Sequence, residues 1–259
     1  MLIRRFFLFA LLLPLLATGV HAITLDWDTA TWTNGATSGA PTSDVDLNIT
    51  ASTPGLFQPS LVNFPNIPTP AITGGFDGGL SPGQNTLELA IDLPNGGNGN
   101  FVTVTFTFNP ATYSGGVDNV SFSIFDIDFA NTPGSTYQDR IFNISATAVD
   151  GSVLTPTISN LGSSVTNTAG VLTGNASAND LGPGSANGNA TISFSGNPLR
   201  SITFSYGAGG LFANPTYQHI GVYDISFTPV PEINPAWSAL GSCLLAAVLI
   251  LRHSAKFRK

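Results

Sequence analysis

Residues 101–108 read FVTVTFTF, and this stretch decides the fold of the chain. Valine or phenylalanine occupies each even position from 102 to 108, and threonine occupies positions 103, 105 and 107. Successive side chains of a β-strand point to opposite faces of the sheet, so strict alternation is typical of a strand with one face on a core. The stretch therefore predicts a half-buried β-strand.

Further runs repeat this period-two alternation, and turn clusters rich in Gly, Pro, Asn and Asp separate them. Phe142 and Ile144 are among the residues that the pattern places on the core side. Helical periodicity is almost absent between residues 23 and 228. Many short strands joined by turns predict an all-β fold, a two-sheet antiparallel sandwich with jelly-roll-like topology. The additional runs cover residues 87–93, 142–148, 202–206 and 223–227.

The distribution of charge excludes one class of function. Between residues 23 and 231 the chain has two basic residues, Arg140 and Arg200, and fourteen acidic ones, a net charge of −12. Affinity for nucleic acid comes mainly from Lys and Arg side chains that neutralise phosphates. We therefore exclude nucleic acid as a partner.

The first 22 residues have the pattern of a secretory signal peptide. Arg4 and Arg5 precede an apolar run, and Val20-His21-Ala22 offers small residues for cleavage after Ala22. This predicts passage through the secretion translocon and an exported protein whose single β-sandwich domain spans residues 23–228. The only cysteine, Cys243, lies outside that domain, so no disulfide stabilises it.

The C-terminal part, residues 229–259, combines a proline-flanked glutamate, an apolar run and a basic tail. The run 236–251 contains no charged residue and is long enough for a short transmembrane helix. Because basic residues hold the following end in the cytoplasm, the domain would lie outside. This order predicts a membrane-anchored precursor that is displayed at the cell surface or released.

The same tripartite order resembles the PEP-CTERM sorting signal of Gram-negative bacteria. The resemblance covers about the last 30 residues and implies processing by an exosortase, a membrane-embedded protease-like transpeptidase. The family's second proline is replaced by isoleucine here, so a plain C-terminal anchor stays open as an alternative. The sorting motif implied by the resemblance consists of Val230, Pro231, Glu232, Ile233 and Pro235.

Three aspartates form a candidate metal site. Residues 120–146 contain Phe-Asp-Ile-Asp and, after a loop, Asp-Arg. A β-bulge near Ile124-Phe125 would turn Asp126 and Asp128 outward together, and Asp139 returns beside them. Carboxylates are the hard oxygen ligands that Ca²⁺ prefers. The alternative is a solvated strand face, with Asp139 paired to Arg140 or capping a turn.

Aromatic residues beside turns are candidates for sugar contact, because lectin-like sandwiches stack such rings on sugar faces. Trp32 and Tyr217 lie beside turns, whereas Trp27 alternates with Leu25 and is predicted to lie in the core. Catalytic motifs are lacking, and His219 is the only histidine between residues 23 and 252. The sequence thus predicts a non-catalytic structural protein of the cell surface or extracellular matrix. A carbohydrate-binding module of a surface polysaccharide matrix is the alternative, and a secreted hydrolase the third possibility.

Overall fold

The computed structural model describes residues 21–60, 67–80, 84–94, 99–176 and 182–232, and confirms the predicted all-β class. Within these ranges the regular structure consists of strands and one 3-10 turn, Ala186–Gly188. The strands are β1 (Ile23–Leu25), β2 (Ser38–Thr42), β3 (Val45–Ala51), β4 (Pro59–Ser60), β5 (Ile67–Pro68), β6 (Ala71–Thr73), β7 (Thr86–Ile91), β8 (Phe101–Phe108), β9 (Val117–Phe125), β10 (Phe129–Thr132), β11 (Ser135–Ala148), β12 (Val153–Leu154), β13 (Thr157–Ser159), β14 (Val165–Thr168), β15 (Val171–Gly174), β16 (Ala190–Phe194), β17 (Leu199–Ala208), β18 (Gln218–Val222) and β19 (Ile225–Pro229).

One layer of the fold is built around the FVTVTFTF strand. Strand β8 pairs with β3 on one edge and with β17 on the other, and β2 continues the layer beyond β3. On the far side of β17 lies β11, the longest strand. The outer edge of β11 pairs with β15 and with β12, and β14 follows β15. All of these pairings are antiparallel.

The opposite layer is centred on β9. One edge of β9 pairs with β16, which in turn pairs with β13. The other edge of β9 pairs with two consecutive strands: β18 lies against its C-terminal end and β19 against its N-terminal part. Beyond them lie β7 next to β18 and β1 next to β19, with β6 outside β7. The first and last strands of the described domain are therefore neighbours.

Aromatic contacts between the layers form much of the core. Phe122 of β9 stacks on Phe204 of β17 with ring centroids 6.0 Å apart, and Phe108 of β8 lies 5.0 Å from Phe227 of β19. A single bridge between Leu199 and Val117 makes the two layers one continuous sheet that curls over on itself. This architecture is consistent with the predicted two-sheet sandwich, and the jelly-roll-like connectivity stays a prediction.

The alternation in residues 101–108 is confirmed, since the even-numbered side chains are fully buried and the threonines are partly exposed. Trp27 is 1% exposed, which confirms its predicted place in the core. The prediction for Phe142 is wrong. The register of β11 against β17 shifts between Phe142 and Ser145, and this bulge puts Ile141 into the core and Phe142 on the outer face.

The predicted targeting segments lie largely outside the described residues. The signal peptide is described only at His21 and Ala22, directly before β1, and cleavage after Ala22 stays a prediction. No helix of the described ranges has the length and apolar character of a membrane span. The predicted transmembrane segment 236–251 lies beyond those ranges.

Candidate functional site

The three predicted metal ligands do lie close together, but inside the protein. Strand β9 ends at Phe125, and Asp126 adopts a left-handed backbone with φ of 65°, which turns the chain towards β10. Asp126, Asp128 and Asp139 are 3%, 1% and 0% exposed. The alternative interpretation, a solvated strand face, is therefore wrong.

Hydrogen bonds connect this acidic cluster, defined as Asp126, Asp128 and Asp139, to its surroundings. The Tyr206 hydroxyl donates to Oδ1 of Asp139 at 2.8 Å, and the Asp128 N–H donates to Oδ2 of Asp139 at 3.1 Å. Nε2 of His219 lies 3.4 Å from Oδ2 of Asp126. Sequence separation explains why these partners were not predicted, since Tyr206 is 67 residues from Asp139.

Burial shifts the pKa of one member of the cluster, Asp139. Removal from water raises the pKa of Asp139 well above its ordinary value, and the neighbouring Asp128 carboxylate raises this pKa further. Burial, followed by the charge of Asp139, also raises the pKa of Tyr206. Asp139 is therefore biased towards its protonated, neutral form, as expected for a carboxyl group in a low-dielectric interior.

The side chains of the cluster are not arranged as a metal site. Across the described ranges, no group of three or more His, Cys, Asp or Glu side chains is placed to hold a metal ion. Both carboxylate oxygens of Asp139 accept hydrogen bonds from protein donors. The calcium site at Asp126, Asp128 and Asp139 stays a prediction.

Tyr217 and Trp32, the predicted sugar contacts, have separate environments. The Tyr217 ring lies edge-on to His219 with centroids 5.4 Å apart, which places it next to the acidic cluster, and its hydroxyl donates to the Pro59 carbonyl at 2.9 Å. Trp32 donates from Nε1 to the Pro70 carbonyl at 3.1 Å and packs over Gly39. Both rings are partly exposed, and both direct their polar atom to backbone.

A second surface was not predicted as a site. The outward side chains of β3, β8, β17 and β11 form three rows of mostly hydroxyl and amide groups, because residues directly opposite in antiparallel strands share a face. The row farthest from Phe142 consists of Asp46, Thr107, Ser201 and Thr147 and so includes one carboxylate. Thr105 and Thr203 have their hydroxyl oxygens 3.1 Å apart, and those of Thr103 and Ser205 are 3.2 Å apart. We call the two rows nearest Phe142 the hydroxyl face; its exposed or partly exposed members are Asn48, Thr50, Thr103, Thr105, Ser145 and Thr203, whereas Ser205 is buried at 2% exposure.

Aromatic rings and an arginine adjoin one end of the hydroxyl face. Phe101 and Phe142 meet edge to face with centroids 5.4 Å apart, and the Arg140 guanidinium lies 4.3 Å above the centre of the Phe142 ring. Gly207 of β17 pairs with Phe101 of β8 on one side and with Arg140 of β11 on the other. A Cβ at position 207 would contact Phe101. We call Phe101, Arg140 and Phe142 the aromatic corner. The threonines of FVTVTFTF were the only sequence signal for this face.

The start of the predicted sorting motif is attached to the domain. The Val230 N–H donates to the Gly116 carbonyl at 3.0 Å, and Arg200 donates to the carbonyls of Tyr113 and Ser114 in the same loop. Pro231 and Glu232 are exposed. Ile233 and Pro235, the remaining residues of the predicted motif, lie outside the described part of the chain.

No family model and no curated protein matches the chain. Among solved structures it is similar to a family 11 carbohydrate-binding module from Clostridium thermocellum, in complex with a β-1,3-1,4-mixed-linked tetrasaccharide, at 14% identity and a TM-score of 0.34. That likeness covers 83% of this chain and 99% of the module. The carbohydrate-binding module TmCBM27, described for specific mannan recognition, is 11% identical with a TM-score of 0.34. The match covers 82% of this chain and 99% of the TmCBM27 chain.

The adhesin domain of PrgB from Enterococcus faecalis, bound to DNA, is also similar, at 11% identity and a TM-score of 0.36. The match covers 71% of this chain and 60% of the PrgB chain. All three neighbours are binding or adhesin domains. At such TM-scores, however, these likenesses carry no argument about what this chain binds.

Proposed function

We propose that the protein is an exported, non-catalytic β-sandwich protein that binds a neutral polysaccharide through its hydroxyl face. The observation that carries this proposal is the position of the aromatic corner at the end of the two polar rows. Neighbouring strands lie about 4.8 Å apart and alternate residues of one strand about 6.8 Å apart, so the rows offer closely spaced, repeated hydrogen-bonding groups. A glycan presents hydroxyl groups with similarly repeated spacing.

The chemistry of the face suits a sugar chain. Hydroxyl and amide groups both donate and accept hydrogen bonds, as sugar hydroxyls do. Phe101 and Phe142 are partly exposed, and the parts of their rings that Arg140 and the partner ring leave uncovered add an apolar surface for the C–H groups of sugar rings. Because the domain has a net charge of −12, an anionic polysaccharide would be repelled. The combination favours a neutral glycan.

The acidic cluster does not support a hydrolase. A glycosidase needs two carboxyl groups on either side of an accessible glycosidic bond. Asp126, Asp128 and Asp139 are at most 3% exposed, and Asp139 is engaged by Tyr206 and the Asp128 N–H. We therefore assign the cluster a role in stability and the outer surface a role in binding.

Export and sorting belong to the same proposal. The signal peptide would deliver the chain through the translocon, and the C-terminal segment would anchor the precursor until an exosortase-like protease releases it. A polysaccharide-binding protein attached in this way would contribute to a surface matrix. This retains the structural role predicted from the sequence and gives it a ligand.

The test is binding of the full chain in detergent to arrayed neutral and anionic polysaccharides. We expect selective binding to a neutral glycan. The double variant Thr105→Val and Thr203→Val, which removes two facing hydroxyls while keeping side-chain volume, should weaken binding about tenfold or more, as should Phe142→Ala.

The matched control is Ser123→Ala with Thr191→Val. These hydroxyls lie 3.0 Å apart between β9 and β16, in the opposite layer. The control should bind as the wild type does. Absence of binding to any polysaccharide by the wild type would reject the proposed ligand and leave the purely structural role.

A further inference from the structure

A groove of about 420 Å³ lies beside the aromatic corner. Its volume is within the range of about 300–1,000 Å³ that is common for small-molecule sites. Charged side chains are absent from its lining, whose residues all belong to the described ranges. The lining consists of Asn143, Ile144, Thr155, Pro156, Ala169, Gly170 and Val171.

The groove results from how the outer edge of β11 is covered. Strand β15 pairs with Arg140 and Ile141, and β12 pairs with Ala146 and Thr147. The segment 142–145 between these partners is bordered instead by the turn before β15 and by the β12–β13 connection. The gap is thus fixed by the strand pairing of the fold.

The bulge in β11 supplies the polar group of this groove. Asn143 has a left-handed backbone with φ of 53° and is exposed, whereas the side chains on either side of it have opposite environments. Phe142 belongs to the aromatic corner, and Ile144 is 7% exposed at the core. A regular strand would have pointed residue 143 away from the face that carries Phe142.

We propose that this groove is an end subsite that takes one neutral pyranose unit of the glycan on the hydroxyl face. The inference rests on the proposed function and adds to it the place where the bound chain ends. Because Asn143 directly follows Phe142, a sugar chain in contact with the exposed edge of the aromatic corner would reach the groove with its next unit. Two connecting segments, the turn before β15 and the β12–β13 connection, border the groove, and we expect them to limit further extension of the bound chain.

The lining matches a neutral sugar in both its polar and its apolar groups. The Asn143 amide donates and accepts, and the Thr155 hydroxyl does both as well. Ile144, Pro156 and Val171 provide apolar contacts for the ring carbons. A sulfated or uronic acid unit would find no basic partner within this lining and would be excluded.

The test compares the affinities of the full chain for cello-, manno- and malto-oligosaccharides from the disaccharide to the hexasaccharide. For the series that binds, affinity should rise with length until the groove is filled and then stay constant. Asn143→Gly keeps the left-handed backbone and removes the amide, so it should lower affinity about tenfold for long oligosaccharides and leave short ones unchanged. Thr155→Trp, which fills the groove, should have the same length-dependent effect.

Asn119→Gly is the matched control, because Asn119 is also exposed with φ of 51° but lies on β9. It should leave affinity unchanged at each length. If Asn143→Gly and Thr155→Trp both bind the whole series as the wild type does, the groove is not a subsite, although the hydroxyl face still binds. If the wild type binds no oligosaccharide or polysaccharide, the proposed function itself fails.

Discussion

The Tyr206 hydroxyl donates a hydrogen bond of 2.8 Å to Asp139, and both residues are 0% exposed. Tyr206 belongs to the aromatic core of the β8–β17 layer, while Asp139 lies at the start of the long β11 strand. The bond joins the hydrophobic core to the acidic cluster. It therefore links the packing of the sandwich to the protonation of a buried carboxyl group.

Burial of Asp139 predicts that stability falls as the pH rises, because burial raises its pKa more than the Tyr206 hydrogen bond lowers it. The pKa of Asp139 in the unfolded chain is near 3.8 and is raised well above that by burial in the folded protein. Between the two values the folded state binds more protons, so the free energy of unfolding decreases with pH. Asp224, whose pKa is raised to about 6 chiefly by burial, acts in the same direction.

Urea unfolding between pH 4 and pH 8 measures the effect. We expect Asp139→Asn to reduce the decline in the free energy of unfolding with pH. The absolute stability should also fall, because the one amide oxygen of Asn cannot accept from both Tyr206 and the Asp128 N–H. Asp150→Asn is the control, because Asp150 is exposed and the hydrogen bonds from Ser152 lower its pKa. An identical pH dependence in wild type and Asp139→Asn would show that Asp139 does not control it.

Adding a side chain at Gly174 should cause a steric clash at the acidic cluster. A Cβ at this position would overlap the Asp128 carbonyl group, and backbone cannot move aside as a flexible side chain does. Gly174→Ala should therefore destabilise the protein by about 3 kcal/mol, at the upper end of the usual overpacking range. For a domain of this size, the melting temperature should fall by roughly 6–12 °C.

The control for this prediction is Gly134→Ala in the β10–β11 turn. Gly134 has φ of 90°, and nothing lies within 4 Å of an added Cβ. Only backbone strain of about 1–2 kcal/mol is expected there. A smaller loss for Gly174→Ala than for Gly134→Ala would mean that β15 can shift away from Asp128.

The calcium prediction is tested by thermal melting. If Asp126, Asp128 and Asp139 take up Ca²⁺, the ion at 100 times its Kd should add about 2.7 kcal/mol to the free energy of unfolding, and EDTA should reverse this. Asp128→Asn should abolish the response because it removes one ligand charge. Superimposable melting curves in EDTA and Ca²⁺ would leave the metal-free, hydrogen-bonded cluster as the arrangement in solution.

The sorting prediction is tested at Glu232, which is exposed just after the last hydrogen bond of the domain. Glu232→Ala should leave export intact and block removal of the C-terminal segment, since the proline-flanked carboxylate is the distinctive group offered to a protease. Mass spectrometry of surface and membrane fractions measures the outcome. Asp150→Ala is the control for loss of an exposed acidic residue. If wild type and variant both retain Cys243, the segment is a plain anchor.

The sequence predicted the strands and the core better than the sites. Alternation reports which face of a strand is apolar, so the buried positions of β8 and the place of Trp27 followed directly. Phe142 was misplaced because a bulge in β11 interrupts the period-two alternation. Asn143, which tolerates a left-handed backbone, was the one local sign of it.

The acidic cluster was predicted in composition but not in environment. The spacing of Asp126 and Asp128 showed that they lie close together, yet their burial depends on how other strands cover them. Gly188 and Gly174 come from distant parts of the chain and contact the backbone at Asp126 and Asp128. Such coverage depends on tertiary packing, which a local sequence pattern does not report. The hydroxyl face was missed for the same reason, since its rows form only when four strands align.

The position of β19 has a mechanical consequence. This strand is hydrogen-bonded to β1 on one side and to β9 on the other, and the chain leaves it at Val230. If the predicted C-terminal anchor tethers the chain, tension would enter at Val230, and a pull along the axis of β19 would load its hydrogen bonds to both neighbours in shear. Arg200 braces the loop that holds Val230 at the point where the force enters. The last strand thus suits a protein that stays folded while it is pulled.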